Sequence, residues 1–199
     1  MKWKDVTRGQ RAWAIYDWAN SGFATSILAF IYVVYFVEEV AGGQDGSVIF
    51  GVTLKGSTLW PMTIFGSFFI IAVIAPFLGA IADHIKAKKK FLFFFCYLGV
   101  VSTCCLFFVV PGSLFLGMFF FVLSNIGFVG GNVFYNGLLK DISDEENIGF
   151  LSGLGWGFGY LGGFILLIYN LVTIVFWKEL GFSSGVLAAR TSFLKTVFA

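Results

Sequence analysis

Polar and ionisable side chains inside long apolar runs are the residues of this sequence that could do chemistry. Asp17 lies one turn inside the first apolar run, and Asn20 and Ser21 follow it one turn later. A carboxylate at the centre of a bilayer costs about 2.5–3.5 kcal/mol, so such a group is by default a functional candidate. We predict that Asp17, with Asn20 and Ser21, contacts a proton or a solute. The alternative is a carboxylate at the membrane interface that caps the helix or pairs with Arg11.

Three amide side chains recur in a later apolar run, at Asn125, Asn132 and Asn136. At about 100° per residue of α-helix they fall within roughly 40° of arc, on one stripe of the helix. Amides on one stripe must face protein or a water-filled cavity rather than lipid. We predict that they line a cavity. The alternative is hydrogen bonding between helices without a ligand, worth about 0.6 kcal/mol for each bond.

The last long apolar run is rich in glycine, with residues that repeat at intervals of four. Gly153 belongs to one series, and Gly155, Gly159 and Gly163 form another. Small residues at this spacing let two helix backbones approach closely, so we predict that these glycines pack against a neighbouring helix. A phosphate-binding loop is not predicted, because no strand precedes the glycines and no Lys-Ser/Thr pair follows them.

Metal, cofactor and enzyme chemistry find little support in the sequence. Cys96, Cys104 and Cys105 share one apolar run without a Cys-x-x-Cys spacing, and His84 is the single histidine. These residues do not assemble a metal site, and we interpret the cysteines as small apolar side chains. No His-Glu-x-x-His motif and no Ser-His-Asp set occurs. The expectation is a protein that is not an enzyme, with no metal and no cofactor.

Composition predicts the setting in which these side chains lie. Hydrophobic residues make up 58% of the 199 residues, charged residues make up 12%, and the mean hydropathy is +0.89. Soluble domains carry about 25% charged residues, so we predict an all-α integral membrane protein without a separate soluble domain. The small net charge of +2 gives no indication of a nucleic-acid partner, and the lipid bilayer is the expected environment.

Hydropathy and loop residues divide the chain into membrane spans. A bilayer core needs about 20 helical residues, which predicts five transmembrane helices at about 12–37, 56–82, 91–110, 113–139 and 148–177. Residues 1–11 are predicted to be a cytoplasmic N-terminus, and 12–185 hold the five spans with short loops. Residues 186–199 are too short to cross, so they are interpreted as the truncated start of a sixth helix. Ser143 and Glu146 have the spacing of a capping box, which predicts that the fifth span starts near Asp144.

A lysine-rich loop joins the second and third spans. Around this loop Gly79, Asp83, Lys88 and Lys89 resemble GxxxD-[RK]-x-G-[RK]-[RK], the signature between helices 2 and 3 of the major facilitator superfamily. His84 and Lys86 depart from that pattern. Gly79 is expected to let another helix approach, and Asp83 is expected to complement a helix dipole or to pair with a basic side chain. A solvated basic loop is the alternative interpretation.

Basic residues are distributed unevenly among the loops. Most lie in the N-terminal segment, in the lysine-rich loop and at Lys140, whereas the other loops carry Lys55, Lys178 and Arg190. Cytoplasmic loops carry an excess of Lys and Arg, so this asymmetry predicts an N-terminus in the cytoplasm.

The sequence resembles the vacuole-effluxer (autophagy-related amino-acid exporter) family of the major facilitator superfamily in three blocks. They are WAIYDWANSGFAT at 13–25, APFLGAIADHIKAKKKFLFFF at 75–95 and VFYNGLLKDISDEENIGFLSGLGWGFGYLGG at 133–163. The resemblance implies a twelve-helix transporter made of two six-helix bundles that work by alternating access. This chain would be the N-terminal six-helix bundle with helix six incomplete, and the C-terminal half would be its missing partner.

The same resemblance suggests what such a protein moves. The implied cargo is a small organic solute, with amino acids as the class that the family suggests and a proton as the candidate coupling ion. A bacterial cytoplasmic membrane is the expected location. Antiport is not implied, because Tyr160 follows Gly159 where the antiporter motif of the superfamily has Gly-Pro. The alternative function is a membrane half-bundle that interacts with partners without transporting.

Helices 1, 4 and 5 have usual places in bundles of this kind. Helices 1 and 4 line the central cavity, which agrees with the interpretation of Asp17 and Asn132 from their residue types. Helix 5 packs at the interface between the halves, which suits the glycine series. Phe150 stands where relatives often have Arg, which weakens any charge network expected at the loop before helix 5.

Overall fold

The computed structural model describes residues 5–198, which form six helices and one short β-hairpin. In chain order the elements are α1 (Arg8–Val40), β1 (Ser47–Ile49), β2 (Val52–Leu54), α2 (Gly56–His84), α3 (Lys88–Phe108), α4 (Leu114–Ile142), α5 (Ile148–Val175) and α6 (Gly185–Phe198). Lys2 and Lys4, part of the basic N-terminus predicted from the sequence, lie outside the described residues, as does Ala199.

Five of the described helices, α1 to α5, are long and apolar enough to cross a membrane. Their outward faces are also apolar, as on α2, where Phe65, Phe69 and Phe77 are exposed. Apolar surface of this extent suits a lipid environment and would be unusual on a monomer in water. The prediction of an all-α membrane bundle is therefore confirmed.

α1 is one continuous helical rod whose winding changes along its length. It begins at Arg8 behind a capping box, in which Thr7 Oγ1 accepts from Gln10 N and Gln10 Oε1 accepts from Thr7 N. π-helical stretches at Phe23–Phe30 and Phe36–Val40 interrupt the α-helical turns. Long π-helical stretches are rare, and the hydropathy of the sequence contains no signal for them.

Packing divides the helices into two groups. α1 packs against α5 and α6, whereas α4 packs against α2 and α3. α3 and α4 approach so closely that a Cβ added at Gly127 would overlap the backbone of Gly99. Two glycines at this crossing let the backbones touch, and close van der Waals packing of this kind holds membrane helices together.

Aromatic side chains fill the bundle near the end of α1. Tyr32 lies parallel to Phe121, with ring centroids 5.7 Å apart, and meets Phe193 edge-on at 5.2 Å. All three side chains are fully buried, and Tyr32 Oη donates to Gly117 O at 2.9 Å. Phe193 belongs to α6, so this short helix is packed into the core of the bundle.

The loop between α1 and α2 contains a β-hairpin that was not predicted from the sequence. β1 and β2 pair antiparallel, with Ser47 opposite Leu54 and Ile49 opposite Val52. Phe50 and Gly51 form the turn with φ of 49° and 81°. Positive φ at both central residues is the geometry that two-residue hairpins favour, and Gly51 adopts it without strain.

The capping box predicted at Ser143 and Glu146 does not form, and α5 begins at Ile148 rather than near Asp144. Ser143 Oγ instead donates to Leu139 O, so this side chain closes the end of α4. Asp144 and Asn147 exchange two bonds, from Asn147 N to Asp144 Oδ1 at 3.0 Å and from Asp144 N to Asn147 Oδ1 at 3.1 Å. This reciprocal pair holds the turn and delays the start of the next helix.

Candidate solute cavity

Contacts between helix ends show which loops lie at the same end of the bundle. Gln10 Nε2 donates to Ile142 O at 2.7 Å, which joins the start of α1 to the end of α4. Gly112 N donates to Glu39 O at 3.2 Å, which joins the end of α1 to the loop before α4. We call the first end, with the lysine-rich loop between α2 and α3, the basic end. The second is the hairpin end.

A cavity of 310 Å³ lies between α1, α4 and α5. We call it the polar cavity. Asp17, Asn20 and Ser21 line it from α1, and Asn132 and Asn136 line it from α4. These are five of the six residues that the sequence analysis assigned to a solute or proton pathway. The fold therefore gathers polar side chains from two separate spans into one chamber.

Asn20 and Asn132 join α1 to α4 at this cavity. Asn20 Nδ2 donates to Asn132 Oδ1 at 2.8 Å, although the residues are 112 positions apart in the sequence. Asn20 also lines a second cavity of 110 Å³, among Phe23, Phe95 and Val100. The amide pair thus stands between a polar chamber and a mainly apolar one.

Asp17 and Ser21 meet α5 at Gly159. A Cβ added at Gly159 would lie 2.6 Å from both Asp17 Oδ2 and Ser21 Oγ. A real Cβ atom does not come this close to an oxygen. The carboxylate of Asp17 and the hydroxyl of Ser21 therefore fill the space that a side chain at position 159 would need. Only glycine at this position allows the two polar groups to pack against α5 as they do.

The other predicted packing glycines divide between two faces of α5. Gly155 lies against Trp13 and Tyr135, and Gly163 lies against Thr25, both within 3.0 Å of an added Cβ. These two, with Gly159, form the contact between α5 and its neighbours in the bundle. At Gly153 no atom outside its own helix backbone lies within 4 Å of that position, so Gly153 takes no part in this contact.

Tyr135 is a cavity residue that sequence reasoning did not select. Its ring stacks on Trp13 with centroids 4.3 Å apart, and Trp13 Nε1 donates to Tyr135 O at 2.9 Å. The Tyr135 hydroxyl is buried and makes no hydrogen bond within the described residues. Its place directly before Asn136 was a signal, but its burial depends on Trp13 from another span.

Asn125 does not line the polar cavity, which corrects the prediction that all three asparagines line one cavity. It is fully buried between α4 and α2, where its Nδ2 donates to Ser67 Oγ at 2.7 Å. The three asparagines do share a face of α4, but the neighbour of that face changes along the helix. Near Asn136 a groove lies between α2 and α4, lined by Gly79 and Gly137, whereas near Asn125 the same two helices touch.

One lysine fixes the lysine-rich loop between α2 and α3 to the end of α4. Lys88 Nζ lies 3.1 Å from Asp83 Oδ1 and 3.0 Å from Asp141 Oδ1, so it joins the end of α2 to the end of α4. Asp83 therefore pairs with a basic side chain, which is one of the two roles expected for it. Asp141 is a second partner of Lys88 that was not predicted from the sequence. Lys89 is exposed. The expectation that Gly79 lets another helix approach is not met among the described residues, because nothing outside the helix backbone lies within 4 Å of a Cβ added there.

Two cationic side chains on α6 make contacts that were not predicted from the sequence. Arg190 Nε donates to Phe107 O at 2.6 Å, and its guanidinium lies 4.9 Å from the Phe107 ring centroid. Lys195 Nζ donates to Thr173 Oγ1 at 2.6 Å and lies 4.4 Å from the Tyr169 ring centroid. These contacts join α6 to α3 and to α5, and they supply partners for charges in an apolar region.

The fold and the cavity define a multi-pass helical membrane protein with a polar chamber between its spans. The vacuole effluxer Atg22-like family matches residues 7–194, which is nearly the whole chain. The chain belongs to this family, and the resemblance seen in the three sequence blocks is confirmed.

Two curated relatives are similar to most of this chain. An uncharacterized MFS-type transporter, YxiO, of Bacillus subtilis (strain 168) is 35% identical over 173 residues, which are 86% of this chain and 39% of that protein. An uncharacterized protein of Aquifex aeolicus (strain VF5) is 30% identical over 160 residues, which are 79% of this chain and 37% of that protein. The chain therefore spans about two fifths of the length of these relatives. No solved structure matches it.

Proposed function

We propose that this chain forms one bundle of a secondary transporter and that the polar cavity is half of the solute pathway. The observation that carries the proposal is the carboxylate of Asp17 beside the Asn20–Asn132 pair, between membrane-crossing helices. Such groups are costly within a membrane and characteristically face a substrate, an ion or water. Membership of a family described as vacuole effluxers and similarity to an MFS-type transporter support the same function.

Alternating access requires a second bundle, because the site of such transporters lies at the interface between two repeats near the middle of the membrane. The chain spans about two fifths of its relatives, and we propose that the rest of a full-length protein supplies the second bundle. That bundle would cover the polar cavity beside Trp156 and Tyr160, which are 62% and 69% exposed. The proposed cargo is a small organic solute, amino acids included, with Asp17 as the carrier of a coupling proton.

The proposed setting is a bacterial cytoplasmic membrane, with the N-terminus and the basic end in the cytoplasm. Lys86, Lys88, Lys89 and Lys90 lie in or beside the loop at the basic end, and Lys140 lies near the end of α4. The excess of Lys and Arg in cytoplasmic loops supports this orientation. The proposed protein is a transporter rather than an enzyme.

A chimera tests this function. This chain replaces the matching part of the Bacillus subtilis relative, and uptake and efflux of a panel of labelled small solutes are measured in proteoliposomes. We expect transport of at least one solute, and we expect Asp17→Asn to reduce its rate by about tenfold or more, because it removes a charged contact inside the membrane.

Asp45→Asn is the matched control for the chimera. Asp45 is an exposed carboxylate in the loop before the hairpin, so its replacement is expected to leave transport unchanged. The proposal fails if the native relative transports a solute that the chimera does not. It also fails if Asp17→Asn and Asp45→Asn transport equally well.

A further inference from the structure

The charged group that lines the polar cavity is negative. Among the described lining residues Asp17 is the single carboxylate, and none is Lys, Arg or His. The remaining polar groups are amides and hydroxyls, including Asn136 and Ser152. A cavity of this composition offers one negative charge and several neutral acceptors and donors.

We infer that the polar cavity binds the ammonium group of an organic amine, with Asp17 as its counter-charge. This inference rests on the proposed function and names the substrate class of the same site. An ammonium group carries three N–H donors and no acceptor, so it needs several oxygens around it. Asp17 Oδ2 and Ser21 Oγ converge on Gly159 and supply two of them from one side of α1.

The Tyr135 hydroxyl is a third oxygen that suits this ligand. It is buried within the cavity wall and has no hydrogen-bond partner within the described residues. A buried polar atom without a partner is costly, and an ammonium donor would satisfy it. Asn132 Oδ1 already accepts from Asn20 and keeps a second lone pair for a donor.

Aromatic rings complete the environment that a cation prefers. Trp13 and Tyr135 stack at 4.3 Å in the cavity wall, and Trp156 and Tyr160 lie 5.6 Å apart at its open side. The faces of Trp and Tyr rings attract ammonium groups, most strongly where water is excluded. An anionic solute would meet the same rings and the Asp17 carboxylate, and both would disfavour it.

Two lysines outside the polar cavity have other partners, and a third lines the adjoining groove. Asn136 also lines an adjoining groove that contains Lys88 and Lys140. Lys88 is paired with Asp83 and Asp141, which offsets its charge. Lys195 is bound by Thr173 and lies over Tyr169 on α5, away from the residues that line the polar cavity. Lys88 and Lys195 are therefore engaged elsewhere, and Lys140 lines the groove but not the polar cavity.

The test compares three probes of similar size on the 199-residue chain in lipid nanodiscs. The probes are phenethylamine, phenethyl alcohol and phenylacetate, and their binding is measured by calorimetry. We expect phenethylamine to bind at least about tenfold more tightly than either of the others, as a hydrogen bond to a charged group predicts. Asp17→Asn should remove this preference, and Asp45→Asn should leave it unchanged.

Asn132→Asp is the complementary variant, in case Asp17→Asn does not fold. It keeps the oxygen that accepts from Asn20 and adds a second carboxylate to the cavity, so it should tighten phenethylamine binding and not phenylacetate binding. The inference is overturned if the native chain does not bind the amine, or if either other probe binds as tightly. It is also overturned if neither cavity variant changes amine binding.

The two proposals fail in different ways. If the chimera transports a neutral or acidic solute while phenethylamine does not bind, ammonium recognition is wrong and transport stands. If phenethylamine binds through Asp17 while the chimera moves no solute that the native relative moves, transport is wrong and the binding site stands.

Discussion

Gly159 determines how the Asp17 carboxylate meets α5. Asp17 and Ser21 are four residues apart, so they lie on one side of α1 and reach α5 at the same glycine. The carboxylate and the hydroxyl occupy the space that any side chain at that position would need. The position of the polar groups in the cavity therefore depends on the absence of a side chain at Gly159 as well as on the polar residues of α1.

Gly159→Ala should displace both polar groups. The added methyl group would overlap Asp17 Oδ2 and Ser21 Oγ, and overpacking of this kind costs about 1–3 kcal/mol. We expect a lower melting temperature in nanodiscs and weaker binding of phenethylamine. Gly157→Ala is the control, because nothing outside the helix backbone lies within 4 Å of that position. Equal effects of the two substitutions would contradict this role for Gly159.

Lys88→Gln should loosen the basic end. Lys88 pairs with Asp83 and Asp141, and exposed ion pairs contribute about 0.2–1 kcal/mol each, so the expected loss of stability is about 0.5–2 kcal/mol. Thermal unfolding in nanodiscs measures it, and the loss should shrink at high salt. Lys89→Gln is the control, since Lys89 is exposed and belongs to neither ion pair. A loss that does not depend on salt would argue against a Coulombic origin.

Residue types and helical periodicity were sufficient to select the carboxylate and the amide side chains that line the polar cavity. Asp17, Asn20 and Asn132 stand out because polar groups are rare in apolar runs, and periodicity put Asn136 on the same face. Asn125 shows the limit, because helical periodicity gives the face of a helix but not the neighbour that covers it. Tyr135 and Asp141 were missed for the same reason, since their roles depend on Trp13 and Lys88 from other elements.

At the scale of elements, the 14-residue helix α6 is part of the core of the bundle. Phe193 is enclosed by Tyr32 and Tyr35, with ring centroids 5.2 Å and 5.5 Å away. Arg190 and Lys195 bind neighbouring helices on either side of it. Charges that make this segment a poor membrane span from sequence are therefore the groups that attach it to α3 and α5.

Phe193→Ala should detach α6 from the aromatic core. Removing a fully buried phenylalanine leaves a cavity and costs about 3–5 kcal/mol. Phe198→Ala is the matched control on the same helix, because Phe198 is 81% exposed and its loss should change stability by about 0.5 kcal/mol or less. Thermal unfolding of both variants in nanodiscs gives the comparison. A small effect at Phe193 would mean that α6 contributes little to the bundle.

Hydropathy predicts where the apolar runs lie, because each span must be apolar over the thickness of a bilayer. The same signal does not contain the winding of the backbone, so the π-helical stretches of α1 could not be expected. The hairpin was also missed, because its strands have three residues each and its turn begins with Phe50 rather than a typical turn residue. The predicted capping box at Ser143 was also wrong, because the Ser143 hydroxyl donates to Leu139 O in the last turn of α4.

For the whole molecule, each of the two helix groups contains a hydrogen bond between an amide and a hydroxyl. Asn125 on α4 donates to Ser67 on α2, and Asn170 on α5 donates to Ser26 on α1. If α1 is matched with α4 and α2 with α5, the two hydrogen bonds join corresponding helices. The amide lies on α4 in one bond and on α5 in the other, so donor and acceptor are exchanged between the matched helices. This correspondence is what two inverted three-helix repeats would produce, and it leaves α1 and α4 together at the polar cavity.

The two ends of the bundle should lie on opposite sides of the membrane. Lys89 is at the basic end and Asp45 is at the hairpin end, and both are exposed. In a chain whose native cysteines are replaced, Asp45→Cys should react with a membrane-impermeant maleimide in intact cells. Lys89→Cys should react only after permeabilisation, because its end is rich in Lys and is expected in the cytoplasm. Reversed labelling would overturn the proposed orientation, and labelling of both from one side would contradict five crossings by α1 to α5.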